Sequence, residues 1–501
     1  MSDEKFELTG GLSDASQYIR ALYTSAGKLS DEAVCAGIQE VTEKRISEIR
    51  STMTQVSVAG KSYFVSGEGN DENDGLSPET AWRTPDRVST ADELCYGDAV
   101  FFRRGDLFRG SFDARSGITY SAYGEGEKPR IYGSDRNAAA ASLWKETDIT
   151  HIWEYENAGM ADIGSVVFDG RTFARKVYLT APGDDGKIRD AKTGAEFSDY
   201  RDLVEDMTFY HDYRNSGKLY LRCERGNPGT LAGSIEMAKK QCTIRVRSCN
   251  NVTVDNICFA HTNFGVSTDT CNNLTVQNCE FNWIGGCLMR EADKEQGREN
   301  PTAYGNGIEI FGGAENFTVR NNYFYQVFDA AATNQYGKRP DDYGYKNIRY
   351  LDNVMEYCVY AVEIFLGYST LEGVIRKNED TYIENNIMRM GGGFGHIQRF
   401  NPDCTSLIRN GLIVKQTENY IVRNNILDRS EKRLVRTVLG VPDDGGSMAQ
   451  YYDNLYVQKR GEQVFERAGK VYFAENDMPQ KIAETGSEHG AKFIFVEELG
   501  F

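Results

Sequence analysis

The 501-residue chain is poor in proline (10), histidine (5) and tryptophan (4), and short of positive charge. Its 57 Lys and Arg stand against 74 Asp and Glu, a net charge of −17. That deficit excludes a nucleic-acid partner, because neutralising phosphates takes a basic face. It also weighs against a polyanionic glycan. No run approaches the roughly 18 apolar residues that a membrane span needs. The acidic start Met1-Ser-Asp-Glu-Lys-Phe lacks the basic, apolar and small-residue sections of a secretory signal. The eleven cysteines form no CxxC pair and no Cys/His cluster with zinc spacing. No nucleophile elbow and no glycine loop suited to cradling phosphate is found. The expectation is a soluble, cytoplasmic protein with buried reduced thiols, no membrane or nucleic-acid partner and no required cofactor.

What the chain does have is 50 Gly, 29 Tyr and 25 Phe, a composition of strands, turns and flat sticky surfaces. Residues 1–58 read as a helical cap or extension. Ser30-Asp31-Glu32 can cap a helix carrying Val34, Ile38, Val41 and Ile46 on one side. The body from 59 to 470 is repetitive. Six segments share one template: Asn251–Asn256, Asn273–Asn278, Asn316–Asn321, Asn347–Asp352, Asp380–Asn385 and Asn419–Asn424. Their starts are 22, 43, 31, 33 and 39 residues apart. A minimal period near 22 with variable additions is the mark of a parallel β-helix, whose coil holds three short strands. A propeller would need a steadier period of about 40 residues. Asn at both ends suits corners, since it tolerates a left-handed backbone and its amide can stack on equivalent neighbours. Long additions at 290–306, 335–345, 367–378 and 400–416 would wall one face of the solenoid. Residues 471–501 read as a cap on its far end.

The opening of this body, from Tyr63-Phe-Val-Ser-Gly to Asn73-Asp-Gly75 and Trp82-Arg-Thr84, resembles that of bacterial right-handed parallel β-helix proteins of the pectate-lyase-like superfamily. Gly97–Arg103, Ser116–Gly124 and the β-rich stretch around 136–235 continue the likeness, which spans roughly 62–460. The resemblance implies an all-β, right-handed parallel β-helix and a carbohydrate-active protein of glycoside hydrolase type. It does not select the reaction, since the superfamily also holds lyases, epimerases and tailspikes.

Aligning the strand after each template gives a row: Gly307–Phe311, Ala330–Asn334, Ala361–Phe365 and Gly395–Arg399. Alternation aims Glu309, Glu363 and His396 outward, with Ala332 between the two glutamates. Coils stack about 4.8 Å apart, so the glutamates stand two coils, about 9–10 Å, from each other. Carboxylates about 6.5–9.5 Å apart admit a water and give inversion, whereas about 5–5.5 Å gives a covalent intermediate. Asp329, on the intermediate coil, could supply the shorter spacing. Glu309, Glu363 and Asp329 are therefore the candidate acid/base groups. His396, Asn334, Gln335, Gln398 and Arg399 are candidate contacts to sugar hydroxyls, and Tyr336, Trp283 and Tyr304 candidate aromatic platforms. Asn70–Gly75 is a lesser candidate for structural calcium.

The expected activity is hydrolysis of a largely neutral oligo- or polysaccharide. A lyase, transferase or epimerase in the same groove is the first alternative, and a glycan-binding or tailspike-like module the second. Flat solenoid faces leave homo-oligomers open.

Overall fold

The computed structural model describes residues 15–335, 344–366, 377–411, 416–438, 449–467, 469–473, 477 and 488–500. Each coil turns through three parallel sheets. The template strands form the first, through Asn250–Asp255, the second half of Thr262–Gln277, and Gly344–Leu351, Lys377–Glu384 and Gln416–Arg423. Short strands such as Cys258–Ala260, Glu280–Ile284 and Tyr323–Val327 make a second sheet of ten. The third runs from Phe112–Asp113 through Ile308–Arg320, Ala330–Gln335, Tyr360–Phe365, Ser406–Gly411 and Arg433–Thr437 to Gln463–Arg467. Strand alternation sends Val252, Leu274 and Phe317, and beside them Val254, Val276 and Val319, into a common interior. In the second sheet Phe259, Phe281 and Phe324 stack with ring centroids 5.2 and 4.7 Å apart.

The template residues act as the spacing requires. Asn251, Asn256, Asn273, Asn278, Asn316, Asn321, Asn385, Asn419 and Asn424 all have φ between +52° and +60°, the left-handed region that Asn tolerates better than most residues. Each template strand thus begins and ends in a corner. The residue after the second corner carries the stacking. Asn322, Asn353, Asn386, Asn425 and Asn454 are fully buried, and the Nδ2 of each of the first four donates to the next Oδ1 at 3.0–3.1 Å. Each Nδ2 also donates to a backbone carbonyl one coil back, and each Oδ1 accepts a backbone N–H as well. No amide group in the column is wasted.

Two helices, α1 (Ala15–Ser25) and α2 (Asp31–Ser51, capped by Ser30), lie along the outer side of the second sheet rather than over an end of the solenoid. The cause is an apolar outward row: Val354, Ile387, Ile426, Leu455 and Ile494 need covering, and Tyr18, Leu22, Val34, Ile38 and Val41 cover them. Arg50 pairs with Glu280 at 3.0 Å, and Gln39 accepts from Arg389 at 2.6 Å. Residues 136–235 leave the solenoid as an antiparallel lobe with its own core around Trp144, Phe168, Phe209 and Leu221. Its strand Ile163–Phe168 pairs with the start of Ile235–Arg247, which continues into the third sheet.

The column yields a stability test. Asn386→Ala would strand the Tyr350 carbonyl and the Asn353 N–H and Nδ2 groups inside the core. Unmet buried groups cost about 1–3 kcal/mol apiece, so chemical denaturation should register a loss of about 3 kcal/mol. Asn316→Gly, at an exposed corner that keeps its left-handed backbone, should cost under about 1 kcal/mol.

Candidate active site

Register in the third sheet defines the outward row. Ser267 lies beside Glu309, Glu309 beside Thr333, Thr333 beside Glu363, and Glu363 beside Arg409. The two glutamates therefore share one face two coils apart, flanked in their own strands by Ile308, Ile310, Val362 and Ile364, which point into the core. Thr333, not Ala332, is the residue between them, because Ala332 pairs with Ile308 and faces inward.

Glu309 accepts a hydrogen bond from the Ser267 hydroxyl at 3.1 Å. Burial pushes its carboxyl up to about 7; Asp329 and Glu363 add to the rise, while Ser267 and Asn306 oppose it. Glu363 is more enclosed, at 2% exposed. Arg409 holds one of its oxygens at 2.6 Å, and Thr333 and Gln335 each donate to the other at 3.1 Å. Burial leaves this carboxyl raised too, although Arg409 opposes the rise. Arg409 itself lies over the rings of Tyr360 and Phe365. Asp329 is engaged by Arg399 at 2.6 Å, with that guanidinium over Phe328. Of the three acids, Glu309 alone has no guanidinium partner among the described residues.

Several expected contacts are placed elsewhere. The segment carrying His396, Gln398 and Arg399 is not the row strand but a short helix, Gly393–Gln398. Gly392 (φ 141°) and Gly393 (φ 58°) let the chain turn out there, and a Cβ on Gly393 would meet the Tyr357 carbonyl at 2.4 Å. The row strand of that coil is Ser406–Gly411, so Arg409 holds the position assigned to His396. His396 faces Thr405 across 3.0 Å, and burial lowers its ring to about 4. Gln398 is a buried wedge that donates to the Gly164 carbonyl and the Tyr178 hydroxyl of the antiparallel lobe. Arg399 reaches the site only as the partner of Asp329.

Asn334 points inward and is fully buried, accepting from Tyr350; the alternation that aims Thr333 out turns it in. Trp283 is 2% exposed, its Nε1 donating to the Gly170 carbonyl and its ring packed among Phe173 and Phe394, so it joins the lobe to the solenoid. Tyr304 is half-buried at the base of a hairpin opposite Cys287, its ring edge-on to Phe264. Gln335 does touch the site, through Glu363. Tyr336 lies outside the described residues, as do 336–343, 367–376 and 412–415 of these additions. The Asn70–Gly75 loop spends its carboxylates on its own turns: Asp71 accepts from the N–H groups of Arg83 and Thr84, and Asp74 from that of Leu76. No group of metal-ligating side chains occurs among the described residues. Residues missed from sequence are Ser267, Thr333 and Arg409. Counting alternation from Val266 would have found the first, but Arg409 is hidden behind the helical insertion.

The stacked coils make this a right-handed parallel β-helix protein. A family model described as "Right handed beta helix region" matches residues 184–340, and the resemblance read from the sequence holds at the level of fold. Similar solved structures include a glycoside hydrolase (11% identity, 87% of this chain and 96% of that one, TM-score 0.46). Others are the GH136 lacto-N-biosidase from Eubacterium ramulus (13%, 93% and 71%, 0.43) and an alginate lyase from Paenibacillus (10%, 77% and 95%, 0.36). No curated protein matches.

Linkage makes the Glu309 environment measurable. Its folded-state value near 7 lies above the ordinary 4.5, so the folded protein binds that proton more tightly than the unfolded chain. Stability should fall as pH rises from about 4.5 through 7. Glu309→Gln removes this loss. Denaturation at pH 5 and pH 8 should show the variant gaining up to about 3 kcal/mol on the wild type at the higher pH only.

Proposed function

We propose that the protein is a glycoside hydrolase using Glu309 as general acid and Glu363 as general base. The observation that carries this reading is the unequal treatment of two carboxylates on one row. Glu309 is desolvated without a cation and keeps its proton near neutrality, as an acid that must protonate a leaving oxygen requires. Burial raises the Glu363 carboxyl as well, but Arg409, Thr333 and Gln335 oppose that rise, so of the two it is the better supported as the negatively charged partner. Two coil spacings, about 9–10 Å between backbones, leave space for a water between sugar and base, which favours inversion of the anomeric centre. Ser267, interleaved with the acids and partly exposed, can meet a sugar hydroxyl, while the buried Thr333 serves Glu363.

In the reaction, Glu309 gives its proton to the glycosidic oxygen as the bond to the anomeric carbon breaks. Glu363 takes a proton from the water that attacks the opposite face. Asp329 adds negative potential beside the developing positive charge while Arg399 fixes its position. Elimination is less well supported, because the guanidiniums on and beside the row, Arg245, Arg399, Arg409 and Arg436, are all engaged by carboxylates and none is free to neutralise a uronate.

The test is incubation with a panel of neutral oligosaccharides, following new reducing ends and the first-formed anomer by proton NMR. Glu309→Gln and Glu363→Gln should each cut turnover by about 10²–10⁴-fold with folding retained. Near-normal turnover in both variants, or products bearing a new double bond, would remove the assignment. Arg409→Gln should leave activity with a basic-shifted acidic limb of the pH profile, because its removal raises the Glu363 carboxyl.

A further inference from the structure

A cleft of about 920 Å³ opens between the antiparallel lobe and the hairpin that rises from the solenoid at Cys287–Arg290 and Thr302–Tyr304. It is not part of the acidic row, but it adjoins it. Tyr304, at the hairpin base, packs on Phe264, the residue two before Val266, which pairs with Ile308 beside Glu309. Lys240, on the lobe side, belongs to the strand Ile235–Arg247 that continues into the third sheet. By strand and coil spacings the cleft lies on the order of 15 Å from Glu309, far enough for an intervening sugar unit.

The cations of the cleft divide into two kinds. Arg214 pairs with Glu291, Lys294 with Asp184 and Arg298 with Asp293. Lys240 and Arg290 line the same space, are exposed, and have no ion-pair partner among the described residues. Asp162, which lines the same cleft, is already held at 2.6 and 2.7 Å by the buried Lys176. Apolar surface faces these two cations: Met160 is 58% and Met289 44% exposed. Glu295 also lines the cleft without an ion-pair partner among the described residues, so the two unpaired cations outnumber the unpaired acids by one; in a chain with a net charge of −17, that is a local exception to the prevailing field.

We infer that this cleft is a distal subsite for one anionic sugar unit, bearing a carboxylate or a sulfate, on a glycan whose neutral unit lies over Glu309 and Glu363. Arg290 offers the planar fork that takes two oxygens of such a group, and Lys240 a point charge beside it. The methionines meet the apolar C–H face of the ring. The inference rests on the saccharide reading of the row, but it is tested by binding rather than turnover. It also limits the substrate to isolated acidic units, because the acids of the row would repel a continuous polyanion.

The experiment titrates the full chain with glucuronate, glucose 6-sulfate and glucose, following binding by saturation-transfer NMR. It compares the wild type with Arg290→Gln/Lys240→Gln and with Glu309→Gln/Glu363→Gln. The anionic sugars should bind about tenfold more tightly than glucose, and the preference should vanish in the first variant and persist in the second. Binding of glucuronate alone assigns a carboxylate, and binding of both anions assigns any anion of that size. No binding of either anionic sugar, equal binding of glucose, or a preference that survives loss of both cations would overturn the subsite. Loss of turnover in the second variant with no such preference would leave the acid/base assignment standing and the subsite refuted.

Discussion

The column of buried asparagine amides fixes the geometry on which everything else depends. A parallel coil can slide by one residue against its neighbour and turn every side chain to the other face. From Asn322 to Asn454 each amide must meet the next amide, a carbonyl behind it and an N–H beside it. A slip would break these bonds together in a dry interior, where unmet polar groups are most costly. The column thus sets the coil-to-coil step on one side of the solenoid, and the acidic row on another side inherits it. The spacing of Glu309 from Glu363 is a backbone property before it is a side-chain one.

Electrostatics then gives chemically identical side chains different tasks. Glu309, Asp329 and Glu363 gather in one partly dehydrated patch, where burial and the neighbouring negative charges raise both glutamates. Guanidiniums from two later segments, Arg399 and Arg409, each engage one acid and leave the third. Both also lie over aromatic rings, which hold the planar cations in place without further acids. The chain therefore places one carboxyl without a cation and one cation-paired carboxyl on a single sheet.

Much of this could be read from the residues. The Asn-bounded templates marked the corners, and alternation in Gly307–Phe311 and Ala361–Phe365 set both glutamates on the same outer row. What escaped did so for definite reasons. Asn334 breaks the rule that an inward position is apolar, and its partner Tyr350 is sixteen residues away on another sheet. His396 and its neighbours sit in a strand-like stretch that glycines fold into a helical turn, which moves the row to Arg409. Trp283 looked like a sugar platform because lobe and groove share the same aromatic vocabulary, and only tertiary packing separates them. The outward apolar row Val354, Ile387, Ile426 and Leu455 sits in strands of three to five residues, too short to reveal a second buried face by alternation. That it is covered by helices from the start of the chain is a contact more than 300 residues long in sequence.

That helical strap alters how the solenoid can come apart. Coils that touch only their nearest neighbours behave as a one-dimensional stack, in which an end can fray while the middle persists. Here α2 is joined to the coil of Glu280 through Arg50, to that of Asn321 through Arg45, and to that of Arg389 through Gln39. Peeling away any one of these coils means lifting a helix that also grips the others. Melting is thereby drawn toward a single concerted event across the coils that carry the acids.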